Sequence, residues 1–155
     1  MTTDTSTGFS RRDMLAAGAA LATLALAPAA QAADGAPKSR LTTHVLDTYN
    51  GRPGGGMRID FLKRDGERYV LDKTVSTNAE GRVDTPLLPV EGAAAIGRYQ
   101  LVFHVAEYFA TNGAEQSNPP FLDKVTLEFA IFEAEEHYHV PLLCSPWSYT
   151  TYRGS

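Results

Sequence analysis

Between residues 57 and 131 the apolar positions recur mostly two apart, the spacing of a strand that buries one face and exposes the other. In residues 57–64 (MRIDFLKR), Met57, Ile59 and Phe61 share a face with Lys63, while Arg58, Asp60, Leu62 and Arg64 take the opposite one. Residues 98–105 (RYQLVFHV) bring Tyr99, Leu101, Phe103 and Val105 together, and residues 124–132 (KVTLEFAIF) do the same with Val125, Leu127, Phe129 and Ile131. Turn chemistry separates these runs at residues 51–56 with Pro53, at Asp65-Gly66, at residues 78–81, at residues 86–89 and at Asn118-Pro119-Pro120. Only residues 106–113 (AEYFATNG) read as a helix, with Asn112-Gly113 as its stop. Seven or eight short strands at this spacing predict an all-β, two-sheet β-sandwich with one short helix.

The N-terminal region follows a different pattern. Ser10, Arg11, Arg12, Asp13, Met14 and Leu15 form a twin-arginine pattern, followed by an Ala/Leu-rich run and the small-residue site Ala30-Gln31-Ala32. The apolar run covers 13 residues from Met14 to Leu26, against the roughly 20 that a membrane-spanning helix needs. Residues 1–32 are therefore expected to be a twin-arginine export signal cut before Ala33. Its passenger would fold first and then cross to the periplasm, or to the exterior of a host with one membrane. Residues 33–40 read as a short polar leader and residues 41–155 as one folded domain.

Removing residues 1–32 leaves 123 residues, enough for one core and too few for two. The formal net charge of −4, with lysines and arginines dispersed, argues against a nucleic-acid partner. The single cysteine, Cys144, excludes an intrachain disulfide despite an oxidising destination. Stability must come from packing, which in so small a domain favours association with further copies of the chain.

Few residues carry obvious chemistry. His44, His104, His137 and His139 all fall in predicted strands or at their ends. His137 and His139 are two apart, so a strand points both to one face, and with His44 they could hold zinc or copper. No acidic or thiol ligand stands in register with them, so spacing alone does not define a metal site. His104 reads as a strand residue that tolerates change. Arg82 after the Asn78 turn, Asp47 as a turn cap and Ser145-Pro146 as a bend in the last hairpin each have a plain structural reading. The final residues 137–155 (HYHVPLLCSPWSYTTYRGS) are too apolar and too ordered in pattern for a loose tail.

Three segments join these residues. The stretch LTTHVLDTYNGRPGGGM, the segment NAEGRVDTPLL and the closing HYHVPLLCSPWSYTTYRGS together resemble the 5-hydroxyisourate hydrolases, the bacterial branch of the transthyretin-related family. The likeness covers residues 41–155 in order, and the terminal YRGS is its most specific part, because hormone-carrying transthyretins lack it. It implies a transthyretin-like β-sandwich, a homotetramer built as a dimer of dimers, and active sites in channels at the dimer-dimer interface. Position by position it implies His44, Arg82, His139 and Ser155 as catalytic residues, with Arg82, Tyr152 and Ser155 binding substrate. His137 and Arg153 match the motif without needing to touch substrate. No cofactor and no metal is implied. Cys144 stands where the family more usually has leucine, and an export signal is unusual beside cytosolic relatives.

The reaction so implied is hydrolytic opening of the 5-hydroxyisourate ring to 2-oxo-4-hydroxy-4-carboxy-5-ureidoimidazoline. Such a reaction needs a base for the attacking water, a cation or donor for the developing oxyanion and a proton for the departing nitrogen. Histidine suits both proton roles near neutrality, and the planar, always charged fork of Arg82 suits a urate-like edge. His44 is the favoured base, with His139 orienting the water or handling the second proton. Two other readings remain open: a transthyretin-like carrier that binds a small aromatic ligand without turnover, and a metal-binding sandwich using His44, His137 and His139.

Overall fold

The computed structural model describes residue 1, residues 39–89 and residues 96–154. The predicted signal 1–32, most of the leader, the loop at residues 90–95 and Ser155 lie outside the described residues. The second of the chain's two units, Gly35–Ser155, holds every strand and the helix described below.

The strongest alternation in the sequence builds one antiparallel sheet. Strands β4 (Arg58–Asp65), β5 (Arg68–Ser76), β7 (Gly97–Phe103) and β8 (Val125–Ile131) lie in the order β5-β4-β7-β8. Asp65 pairs with Arg68 across a two-residue loop, and Gly66 takes a φ of 60° there, which explains the Asp-Gly signal. The inward residues Met57, Ile59, Phe61, Leu101 and Phe103 are fully buried. Each such side chain contributes about 1.5–3 kcal/mol relative to its exposed state. Strand β5 lies at one edge and β8 at the other. Two residues of β4, Phe61 and Leu62, face Lys73 and Leu71, so Asp72 is bulged out of register. Its carboxylate lies 3.0 Å from Lys63 and 3.6 Å from Lys73, and a charged bulge of this kind discourages another strand from adding to that edge.

The opposing layer is made of shorter pieces. Strands β1 (Ser39–Thr42), β6 (Leu88–Pro89) and β9 (Tyr138–His139) lie in the order β6-β1-β9. Strands β2 (Val45–Asp47), β3 (Arg52–Pro53), β10 (Leu142–Cys144) and β11 (Tyr149–Thr150) lie in the order β11-β10-β2-β3. Strands β1 and β9 run parallel with Thr42 opposite His139, and β2 and β10 run parallel with Val45 opposite Leu142. The register is the same in both. Between them, Val140 N–H donates to the Thr42 carbonyl and Leu142 N–H to the His44 carbonyl, each at 2.9 Å. The two small sheets are thus segments of one parallel strand pair, interrupted around His44 and Pro141. The described residues carry eleven strands, more than the seven or eight that periodicity finds, because pieces of two or three residues are too short to show a period.

One core joins the layers: Leu41, Val45, Leu87, Tyr138, Leu142 and Cys144 pack against the inward faces of β4, β7 and β8. Cys144 is fully buried, and burial pushes its thiol up to about 12, with Asp47 adding to the shift. It is a packing residue, as expected of a cysteine in leucine's place. Asp47 does cap the following turn, accepting hydrogen bonds from Asn50 N–H at 2.9 Å and from Tyr108 Oη at 3.0 Å. The last hairpin bends as expected, with Ser145 Oγ accepting from the Trp147 and Ser148 amides at 3.2 and 3.1 Å.

The helix α1 (Val105–Thr111) begins one residue earlier than the sequence suggests, so Val105 is buried as a helical residue rather than as the end of β7. His104 is the residue at the joint. The expectation that it tolerates change is corrected: its ring is buried, and Nε2 lies 2.7 Å from Asp60 Oδ2. Asp60 also accepts from Thr74 Oγ1 at 2.7 Å. Burial would raise the Asp60 pKa, yet the hydrogen bonds from Thr74 and His104 outweigh it and hold the carboxyl below its ordinary value. Replacing His104 with alanine removes a buried, charge-assisted bond and is expected to cost about 2 kcal/mol. Urea unfolding should show that loss, and a variant as stable as the parent chain would exclude a structural role for the pair.

Candidate active site

The sequence Asn78-Ala79-Glu80-Gly81-Arg82 is a turn that presents an arginine. Asn78 Oδ1 accepts hydrogen bonds from the Glu80 and Arg82 amides, both at 3.0 Å, and the Gly81 amide returns to the Asn78 carbonyl at 2.9 Å. Gly81 has a φ of 73°, and a Cβ there would lie 2.3 Å from the Val45 carbonyl oxygen. Only glycine lets the turn approach so closely. The approach is itself bonded, with Val45 N–H donating to Gly81 O at 2.8 Å. It places His44 and Arg82 opposite one another as an isolated antiparallel bridge, at the break between β1 and β2.

His139 reaches the same place from the other end of the chain. It ends β9 beside Thr42, whose Oγ1 lies 2.9 Å from His139 Nδ1 and 3.0 Å from His137 Nε2. The common face predicted for His137 and His139 is therefore real, and what lies against it is a hydroxyl. Among the described residues no group of three or more histidine, cysteine, aspartate or glutamate side chains is placed to hold a metal ion.

The tail beyond β11 is pinned. Thr151 Oγ1 donates to the Pro141 carbonyl at 2.7 Å, and the Arg153 guanidinium pairs with Glu136 and sits 4.8 Å from the centre of the Tyr138 ring. Arg153 thus anchors the tail. Gly154 then forms an isolated bridge with His139, donating to its carbonyl at 2.8 Å and accepting from its amide at 3.1 Å. A Cβ on Gly154 would stand 3.0 Å from His139 Cβ, so this glycine lets the tail lie against the histidine. Tyr152, half exposed, meets the His139 ring edge-on at 6.3 Å between centroids.

His44, Arg82 and His139 influence one another electrostatically. Burial lowers the His44 pKa below its ordinary 6.5, the Arg82 charge lowers it further, and a hydrogen bond to the Glu80 backbone opposes both. For His139, burial again acts first, then the charges of Arg82, His137 and His44, against a bond to the Thr42 backbone. Both rings are therefore neutral at neutral pH. His44 Nε2 is buried and has no hydrogen-bond partner among the described residues. Its other ring nitrogen is the one held by the Glu80 carbonyl, so Nε2 carries the lone pair. A buried polar atom left this way costs stability unless a reacting molecule uses it. The Arg82 side chain is exposed and enters no ion pair among the described residues.

Of the residues expected from sequence, His44, Arg82 and His139 come together, with Tyr152 beside His139, and Ser155 lies outside the described residues. A groove of about 490 Å³ runs next to them, lined in part by Phe129, Phe132, Tyr138, Tyr149, Tyr152 and Arg153. It does not include His44, Arg82 or His139. Three supporting residues, Thr42, Asn78 and Gly81, escape a reading of the sequence for chemistry. Thr42 is within reach of a period-two reading, since it precedes His44 by two and so shares its face.

A parallel strand pair carrying this arginine and these histidines, packed on a four-stranded antiparallel sheet, defines a transthyretin-like sandwich. A model of the HIUase/Transthyretin family matches residues 41–154. The chain is 54% identical to 5-hydroxyisourate hydrolase 2 of Rhizobium meliloti (strain 1021) over 117 residues, covering 75% of this chain and 96% of that one. The solved 5-hydroxyisourate hydrolase of Klebsiella pneumoniae is 32% identical with a TM-score of 0.58, over 76% of this chain and 100% of that one. Sea bream transthyretin in complex with thyroxine is 26% identical with a TM-score of 0.64, over 74% of this chain and 94% of that one. The chain belongs to the HIUase/Transthyretin family.

Proposed function

We propose that this protein hydrolyses 5-hydroxyisourate to 2-oxo-4-hydroxy-4-carboxy-5-ureidoimidazoline, a step of urate breakdown. The observation that carries the reading is the His44 ring, with its Nε2 lone pair buried and unpartnered among the described residues beside the Arg82 guanidinium. His44 Nε2 takes a proton from water as its oxygen attacks the ring carbonyl of the substrate. The carbonyl oxygen becomes an oxyanion, and Arg82 neutralises it with a charge already in place. Collapse of that intermediate breaks the carbon-nitrogen bond, and the nitrogen leaves with a proton delivered from His139 or returned by His44. Tyr152 and the terminal Ser155, with its carboxylate, position the substrate from the tail.

A transthyretin-like carrier and a metal-binding sandwich are the readings not favoured. A carrier needs a shaped cavity and has no use for two neutral histidines beside an arginine. The site is wide and open in a single chain, and the groove beside the β8 edge exposes Phe132, Tyr149 and Tyr152. Exposed apolar residues of this size next to an open strand edge support self-association, so we read the working form as the homotetramer, with partners enclosing the site. Export by the twin-arginine route to the periplasm rests on the N-terminal motif, and the family match begins only at residue 41.

Mixing the mature protein with freshly generated 5-hydroxyisourate and following its ultraviolet absorbance tests the reading. Accelerated decay that chelator leaves intact is expected. Binding without acceleration would point to the carrier, and decay abolished by chelator to a metal enzyme. The pH profile adds a second check. Because both histidine pKa values are lowered, mainly by burial, the neutral rings persist to more acid pH than free histidine allows. Activity should hold down through about 6.5 and fall only below it. A kcat/KM limb centred at or above that value would mean that neither depressed ring is the base.

A further inference from the structure

We propose that Thr42 is a positioning residue for the reaction, its hydroxyl fixing which nitrogen of His139 carries the proton. The inference rests on the hydrolase reading and extends it to a residue that the sequence does not single out. Thr42 Oγ1 stands between two imidazoles, 2.9 Å from His139 Nδ1 and 3.0 Å from His137 Nε2. A hydroxyl has one proton and can give it to only one of two neighbours. The other must donate to the hydroxyl oxygen or lose its bond. The His139 ring is also held by the Thr42 backbone through a bond that favours its protonated form, so the ring nitrogen facing Thr42 is a donor. His139 Nδ1–H therefore points into Thr42, and the Thr42 proton goes to His137 Nε2.

This leaves His139 with its lone pair on Nε2, the nitrogen not held by Thr42. The arrangement repeats that of His44, whose one nitrogen is held by the Glu80 carbonyl while its Nε2 stays unpartnered among the described residues. Both rings thus enter the reaction as the same tautomer, each with one nitrogen tethered to the backbone or hydroxyl beside it and the other available. A ring free to exchange tautomers would present an N–H to the substrate part of the time and could not accept a proton then. Strand pairing fixes the geometry, since Thr42 and His139 are direct partners in the β1–β9 ladder. His137, two residues before His139 and exposed, completes the chain without approaching substrate.

Three proteins test this: the parent chain, Thr42→Val and Thr42→Ser. Nitrogen-15 NMR of the histidine rings, taken without substrate, should show His139 with its proton on Nδ1 in the parent chain and in Thr42→Ser. In Thr42→Val it should become a mixture or the opposite tautomer. In the hydrolase assay Thr42→Val should lose about tenfold in kcat, the size of one orienting hydrogen bond, with KM within about twofold and serine restoring the rate. Serine keeps the hydroxyl and drops the methyl group, so failure of serine to rescue would overturn the proposal in favour of packing. An unchanged kcat in Thr42→Val, or a parent His139 carrying its proton on Nε2, would overturn it too. If the parent chain failed to turn over 5-hydroxyisourate, the functional reading would fall while the NMR result still decided the role of Thr42 in setting the tautomer.

Discussion

An Arg82→Gln protein is expected to fold and assemble as the parent does and to lose kcat by about 100- to 1,000-fold, the cost of removing one donor aimed at a developing oxyanion. The prediction comes from where the guanidinium sits. The Arg82 backbone is held by Asn78 and by the bridge to His44, whereas its side chain is exposed and carries no structural ion pair among the described residues. Stability should therefore change by less than about 0.5 kcal/mol, as for other surface substitutions. Lysine should rescue little, because a point charge does not reproduce a planar fork. The same variant has a second signature. The Arg82 charge is the second cause, after burial, of the lowered pKa of both His44 and His139. Removing it should move both values part of the way back toward 6.5, and the acid limb of any residual activity should shift upward with them. A variant that is slow but keeps the parent pH profile would show that Arg82 acts on the substrate without setting the histidines.

Cutting the chain after Arg153 is expected to abolish measurable turnover, and adding a tag after Ser155 to reduce it strongly, while both proteins remain folded. The two changes differ in what they remove. Truncation takes away Gly154, whose two backbone hydrogen bonds at 2.8 and 3.1 Å hold the His139 main chain. The tag leaves that bridge intact and displaces only the terminal carboxylate. Arg153 should stay seated between Glu136 and the Tyr138 ring in both, so the melting temperature should change little. Full activity in the tagged protein would assign the tail a structural task only. Equal and complete loss in both would place the carboxylate itself among the groups that meet the substrate.

The antiparallel sheet is legible in the sequence because Ile59, Phe61, Leu101, Phe103 and Leu127 repeat at two over seven residues or more. The opposing layer is harder to read. Strands such as Arg52–Pro53 or Tyr149–Thr150 exist because a neighbour offers hydrogen bonds, and two residues hold no period. His104 misleads for a related reason: its predicted strand stops at Phe103, and the ring turns into a buried bond with Asp60, 44 residues away in sequence. At the site, residue type and motif identify His44, Arg82 and His139, but spacing alone does not bring them together. They converge through one parallel ladder and one glycine turn, both long-range. Thr42 stays hidden because a strand threonine looks ordinary until a histidine from the far end of the chain lies against it.

The parallel pairing of β1 with β9 and of β2 with β10 also governs when the protein can become itself. Thr42 and His139 are 97 residues apart, so a ribosome finishes nearly the whole domain before the opening strand meets its mate. Until then the four-stranded sheet can form alone, since β4, β5, β7 and β8 need only one another. The second layer, and with it the two histidines proposed for catalysis, closes in a late event of high contact order, on the slow side for a domain this small. Nascent chains of this protein should therefore be inactive until release, and their unfinished layer is where a chaperone would find exposed strand edges to hold.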